Sequence, residues 1–207
     1  MIEKYITKTI AIPQVRLSYP HLFAKSPNQI INGVTINGKY QAQLILDKTD
    51  KRHAEAIEKM LEAAKEITGG VGIRKLPRPL VKDNDEELEG LDDESRANRL
   101  YLVNTWQFST TNNNAPKLEL IKRVRLNPAV DENPFYPGCY VNVAITMAPY
   151  KLNNKWAGVS KYLEYVLFSK HGESFLGKPI DGASFFSDDI CVTDTPEKKE
   201  DNNDDIF

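Results

Sequence analysis

The feature that most restricts this chain is a period-two alternation of apolar and polar residues that recurs in short runs. In KYQAQLIL (39–46), Tyr40, Ala42, Leu44 and Leu46 share one face while Gln41 and Gln43 share the other. In CYVNVAITMA (139–148), Val141, Val143, Ile145 and Met147 line one face, and Tyr140, Asn142, Ala144 and Thr146 the opposite one. Successive side chains of a strand point to opposite sides, so each run reads as a strand with one wet side. Further β-rich segments cover 5–17, 99–109 and 117–126, the last two separated by the polar turn TTNNNAP. Pro13 places an edge or a bulge in the first of these. Residues 18–37, punctuated by Pro20, Pro27, Gly33 and several asparagines, read as a long loop or hairpin. Residues 156–168 (WAGVSKYLEYVLF) fit a helix by spacing and a strand by β-branched and aromatic content; the strand reading is taken.

One segment changes period. Over 51–68, Ala54, Ile57, Met60, Leu61, Ala64 and Ile67 form a stripe at helical spacing, Thr49 or Asp50 can cap it, and Gly69-Gly70 stops it. Glu55, Glu58, Glu62 and Glu66 make the solvated face. The fold class expected is mainly β with one inserted helix, an OB-fold-like five-stranded barrel with extensions. Periodicity alone leaves a β-sandwich open. The domain is expected over 1–193, with 71–98 as a long mobile loop, followed by a disordered acidic tail over 194–207.

The net charge of −2 conceals a segregation. Residues 83–94 hold eight acids and no base, and 194–207 hold six acids and two lysines; the remainder carries 25 bases against 15 acids. A basic body with acidic segments that could detach from it implies a polyanion partner and an internal competitor for it.

Enzyme signatures fare poorly. The chain has no phosphate-binding glycine loop, no nucleophile elbow and no H-E-x-x-H pair, and its three histidines (His21, His53, His171) are scattered, each reading as an ordinary surface or loop histidine. Asp83, Asp85, Glu87, Glu89 and Glu94 fall at positions 1, 3, 5, 7 and 12 of a calcium loop, but the sixth position, which needs a sharp turn, is Leu88. A metal-dependent nuclease using the Asp83–Glu94 cluster is the alternative reading; it would need acids converging from rigid strands. The two cysteines, Cys139 and Cys191, form no CxxC pair. No cofactor and no metal are expected. No apolar run approaches the roughly 18 residues of a membrane span, so no membrane partner is expected and the chain is placed in the cytoplasm.

Single-strand binders need cations for phosphates and aromatic faces for unstacked bases. Bases sit beside aromatics at Lys39-Tyr40, Tyr150-Lys151, Lys155-Trp156 and Lys161-Tyr162, and further cations cluster at Arg74, Lys75 and Arg78 and around Arg123. The candidate nucleic-acid contacts are therefore Lys39, Tyr40, Arg74, Lys75, Arg78, Trp106, Arg123, Tyr150, Lys151, Lys155, Trp156 and Lys161. At the C-terminus, Asp204, Asp205, Ile206 and Phe207 put two bulky apolar residues at the end of an acidic stretch, which reads as a docking peptide for a partner protein.

The segment Phe135-Tyr136-Pro137-Gly138-Cys139-Tyr140-Val141, followed by a strand ending near Ala148-Pro149-Tyr150 and then NNKWAGVS, resembles the phage single-stranded DNA-binding proteins with an OB-fold core. The opening Val15–Phe23, the Lys39–Ala42 strand and Gly177-Lys178-Pro179 are similar to the same family, and the resemblance runs from about 12 to 185 in the right order. It implies a non-enzymatic protein of phage replication, recombination or repair, in the host bacterial cytoplasm. The acidic tail resembles tails that recruit phage or host replication and recombination proteins and compete with DNA. A homodimer is left open. The basic-glycine-aspartate turn expected after the helix is replaced by Lys82-Asp83-Asn84-Asp85.

Overall fold

In the computed structural model, residues 7–69, 79–152 and 155–175 are described, with backbone alone for 151, 152 and 155–157. The expected mobile loop over 71–98 is thus seen only from 79 onward, and the tail, Cys191 and the Gly177-Lys178-Pro179 stretch lie outside the described residues.

The strands are β1 (Lys8–His21), β2 (Gln29–Ile31), β3 (Val34–Ile36), β4 (Tyr40–Asp47), β5 (Lys82–Asp83), β6 (Thr105–Asn112), β7 (Lys117–Leu120), β8 (Val124–Arg125), β9 (Tyr140–Leu152) and β10 (Lys155–Lys170). Eight of them form one sheet in the order β5-β6-β4-β1-β9-β10-β7-β8, antiparallel throughout except for the parallel pair β7–β10. β2 and β3 form a separate hairpin whose Asn32-Gly33 turn has positive φ at both residues (51° and 77°), as a two-residue hairpin turn requires.

The period-two reading holds for β4 and β9. Ala42, Leu44 and Leu46 are buried, as are Val141, Val143, Ile145 and Met147. Pro13 marks a bulge rather than an edge: β1 lies inside the sheet, its register against β9 shifts between Ile12 and Val15, and Gln14 takes φ 55° there. The Gln14 amide donates to Asn142 Oδ1 (2.9 Å), which satisfies a donor that the bulge leaves unpaired. Residues 156–168 are strand, as expected. Two strands are shorter than expected. Residues 100–102 form a 3₁₀ turn, so β6 starts only at Thr105, and a second turn at Ile121–Arg123, with Lys122 and Arg123 at positive φ, folds 117–125 into a hairpin.

β6 and β10 are not ladder neighbours, yet a side chain joins them. The Asn112 amide donates to the Leu163 carbonyl (3.0 Å) and accepts from the Leu163 N–H (2.7 Å), imitating a strand partner.

α1 (Lys51–Ile67) starts at Asp50, whose carboxylate accepts from the Arg52 amide, and closes on Thr68. Its buried face is His53, Ala56, Met60, Ala63, Ala64 and Ile67, rotated from the expected stripe and leaving Leu61 exposed. His53 corrects the reading as a surface or loop histidine. Its ring is buried, Nδ1 accepts from the Asp47 amide (2.9 Å), and Nε2 donates to the Pro13 carbonyl (2.8 Å).

The single inserted helix is also corrected. The acidic segment carries two short helices, α2 (Asn84–Glu89) and α3 (Asp93–Ala97). Asp83 and Asp92 cap them by accepting from the Asp85 and Ser95 amides, and the acids of each first turn face a helix N-terminus, where negative charge is favoured. Leu88 and Leu102 pack on Ile45, the apolar interruption in the wet face of β4.

The Pro137-Gly138-Cys139 corner before β9 is held by Gly138 N–H to Leu17 O (2.8 Å) and Leu17 N–H to Cys139 O (3.0 Å). Gly138 has φ 109°, and a Cβ there would lie 2.0 Å from the Glu173 carbonyl oxygen, so only glycine fits. Burial pushes the Cys139 thiol up to about 11, so it remains an un-ionised core group.

Candidate nucleic-acid interface

Where β6 and β10 diverge, a cleft of about 550 Å³ opens. Gln43 of β4 and Gln107, Phe108, Ser109 and Thr111 of β6 line it, with Tyr150 and Gly158–Lys161 from the β9–β10 hairpin and Pro79, Leu80 and Lys82 from the strap leading into β5. Gln43 pairs in register with Ser109, so the wet face of β4 recognised in the sequence contributes directly.

Tyr150 is 38% exposed, so ring surface is available to a ligand. The Lys161 ammonium donates to the Leu80 carbonyl (2.7 Å) and lies 5.6 Å from the Phe108 ring centroid. Among the described residues no carboxylate pairs with it. Burial without a counter-charge brings its pKa down to about 8. The site therefore joins an open aromatic ring, amide and hydroxyl groups, and a cation lacking an anion.

Of the twelve expected contacts, Tyr150 and Lys161 line this cleft. Lys151, Lys155 and Trp156 continue the same hairpin, with Trp156 opposite Lys151 and Lys155 opposite Leu152 in register. Arg74, Lys75 and Arg78 lie outside the described residues, immediately before the strap in sequence. The other four are placed elsewhere. Trp106 is half-buried on the core side of β6, with the Lys48 ammonium 5.7 Å from its ring centroid. Tyr40 is half-buried beneath Lys25 (5.8 Å), Lys39 is exposed ahead of β4, and Arg123 sits at the tip of the β7–β8 hairpin. Gln43, Ser109, Thr111, Leu80 and Gly158 carry no aromatic or basic signal, so nothing in the sequence alone marks them.

A second hollow of about 250 Å³ holds Arg16, Tyr101 and Tyr140. Its guanidinium is already engaged: Arg16 lies 4.3 Å from the Phe175 centroid and donates to the Gly138 and Glu173 carbonyls.

Three acids of 83–94 are tied to the fold by ion pairs, which corrects the reading of this run as a detachable segment. Lys48 pairs with Asp83 (2.5 Å) and Asp85 (2.6 Å), Lys82 pairs with Glu87, and Asp85 also accepts from the Asn104 amide (2.7 Å). The Lys48 ammonium holds the Asp85 carboxyl below the usual carboxylate range. Among the described residues no group of three or more His, Cys, Asp or Glu side chains is placed to hold a metal ion. Nor is any helix among them long and apolar enough to cross a membrane.

The family model for the single-stranded DNA-binding protein of Enterobacter phage Enc34 matches residues 7–201. The chain belongs to this family. It is a family of DNA-binding proteins rather than of enzymes, which overturns the nuclease alternative. A putative protein p50 of Acyrthosiphon pisum secondary endosymbiont phage 1 is 28% identical over 192 residues, covering 91% of this chain and 97% of that protein. Among solved structures, the single-stranded DNA-binding protein of bacteriophage Enc34 in complex with single-stranded DNA matches at a TM-score of 0.61. It is 24% identical, with 81% of this chain and 89% of that one covered. The bacteriophage T7 single-stranded DNA-binding protein gp2.5 matches at a TM-score of 0.51 and 14% identity, with 89% and 97% covered. Both share the mainly β architecture.

Proposed function

We propose that this Enc34-family protein binds single-stranded DNA with little sequence preference, through the cleft between β6 and β10, and protects it during phage replication, recombination or repair in the host cytoplasm. The observation that carries the reading is the pairing of an open Tyr150 ring with an uncompensated Lys161 in one cleft, in a chain of this family. We read β1, β4, β6, β10 and β9 as a five-stranded, partly open OB-type barrel, its seam bridged by Asn112 below the cleft. In such barrels the face of the second and third strands and the loop between the last two bind oligonucleotides, and β4, β6 and the β9–β10 hairpin take those places. We propose that the track extends along the hairpin toward residues 151, 155 and 156, and that Arg74, Lys75 and Arg78, which precede the strap in sequence, add further phosphate contacts. Lysines and arginines would supply affinity by releasing counterions, and rings by stacking.

The tail over 194–207 would compete for this cleft and recruit replication or recombination proteins through Asp204, Asp205, Ile206 and Phe207. Fluorescence anisotropy with a labelled oligo-dT, a duplex and an RNA, each at two salt concentrations, tests the reading with the full chain and with a chain ending at 193. The full chain is expected to prefer single strands, and the shortened one to bind them more tightly at low salt. Equal affinity for duplex and single strand would refute the first claim, and weaker binding on truncation the second. Sedimentation of the same samples reads monomer against homodimer.

A further inference from the structure

Gly158 stands opposite Tyr150 in the β9–β10 register, next to the slip between Trp156 and Gly158. A Cβ built on Gly158 would lie 2.7 Å from Tyr150 Cε1, 2.9 Å from its Oη and 3.0 Å from its Cζ. Non-bonded carbons settle at about 3.5–4.0 Å, so the outer end of the phenol ring rests on bare backbone, where no side chain fits. Among the described residues the phenol hydroxyl makes no hydrogen bond that would hold the ring by other means. The three atoms nearest that absent Cβ all belong to Tyr150. The space in front of the glycine is therefore taken by this one ring, while its own backbone, at φ 159°, is also one that side chains rarely adopt.

We infer that Gly158 is a positioning residue for single-stranded DNA: by lacking a side chain it seats the Tyr150 ring on the cleft wall, where a base can stack on it. The inference rests on the proposed role of Tyr150 and goes further, since it assigns the ring's orientation to a residue that itself offers DNA nothing. The atoms in the way are the far end of a side chain, so Gly158→Ala would turn the ring out of place, with an added backbone strain at φ 159° that does not depend on the ring.

Two measurements on Gly158→Ala, Tyr150→Ala and the double variant decide it: thermal melts, and oligo-dT anisotropy at fixed salt. Tyr150→Ala is expected to weaken binding about 5- to 150-fold, the value of one stacked base. Gly158→Ala is expected to weaken it by a similar factor although the tyrosine is still there, and the double variant by no more than Tyr150→Ala alone. The fall in melting temperature caused by Gly158→Ala is expected to be smaller in the Tyr150→Ala background, because the clash with the ring is gone and only the backbone strain at φ 159° remains. If Gly158→Ala does not fold by itself, the double variant does, and its binding must equal that of Tyr150→Ala. Wild-type binding by Gly158→Ala beside a weakened Tyr150→Ala overturns the positioning role alone, as do additive losses in the double variant. Wild-type binding by Tyr150→Ala overturns both this inference and the stacking role beneath it.

Discussion

Replacing Lys161 with methionine separates the charge of the cleft from its shape. Burial brings the ammonium from an ordinary 10.5 to about 8. At pH 9.5 most free protein therefore has a neutral Lys161, whereas a strand phosphate beside it would restore the charged form. Binding then takes up a proton. If phosphate returns the group to its ordinary value, affinity falls about 20-fold between pH 7.5 and 9.5 from this residue alone. Lys161→Met cannot titrate, so it is expected to bind more weakly at pH 7.5 and to lose that slope. Oligo-dT anisotropy at constant ionic strength across this range measures both. Stability moves the opposite way. The folded chain gives up this proton more readily than the unfolded chain, so stability rises with pH between about 8 and 10.5, and the burial penalty is fully present below about 8. That penalty is about 3 kcal/mol, so Lys161→Met is expected to melt higher than wild type at pH 7. A wild-type affinity that is flat with pH, or the same slope in Lys161→Met, would refute the assignment.

Two further substitutions test the frame around the cleft. Asn112→Ala removes both bonds to the Leu163 backbone and leaves a buried N–H and C=O without partners. A loss of about 2–5 kcal/mol in denaturant unfolding is expected, with faster hydrogen exchange at Leu163, and a change below about 0.5 kcal/mol would show that the seam does not depend on the amide. His53→Ala strips partners from the Asp47 amide and the Pro13 carbonyl and leaves a cavity under α1. A cost of about 3 kcal/mol is expected in the same assay, and a variant as stable as wild type would contradict the buried, doubly bonded ring.

The sequence made the strands legible where one face is wet and the other dry, as in β4 and β9, because that contrast is local. It misjudged what distant residues decide. His53 reads as polar, yet it is buried because β1 and the end of β4 bring a carbonyl and an amide to its two nitrogens. That contact turns α1 and leaves the apolar Leu61 exposed. In the acidic run, Asp83 and Asp92 carried a local helix-capping signal that the charge count obscured, while the pairing of Asp83 and Asp85 with Lys48 spans more than thirty residues. The interface shows the same division. A base beside an aromatic in sequence looked like a binding pair, but neighbours in a strand point to opposite faces. Tyr40 follows Lys39 and is half-buried with its face toward Ala42 and Leu44; Trp106 shares the inner side with Phe108. Tyr150 and Lys161 meet because a hairpin brings two strands together, a juxtaposition that spacing in sequence does not display.

The cleft and the opening in the sheet have one cause. β6 pairs along its length with β4, but among the described residues its other edge pairs with β5 at Trp106 and Gln107 alone and is hydrogen-bonded to β10 through Asn112. Between those points the edge has no ladder neighbour among the described residues, and a polar floor of Gln107, Ser109 and Thr111 faces the gap. Lys161 spans this gap to the Leu80 carbonyl, so in the free protein the ammonium ties the strap to β10. The ammonium has three donors and spends one on that carbonyl, so a phosphate can be bound beside the carbonyl or in its place. A phosphate adds charge–charge attraction that a carbonyl lacks, and it relieves the burial of an unpaired charge. On the proposed reading the cleft therefore favours a polyanion, and a duplex would gain less there, because its bases are already stacked and have no use for Tyr150.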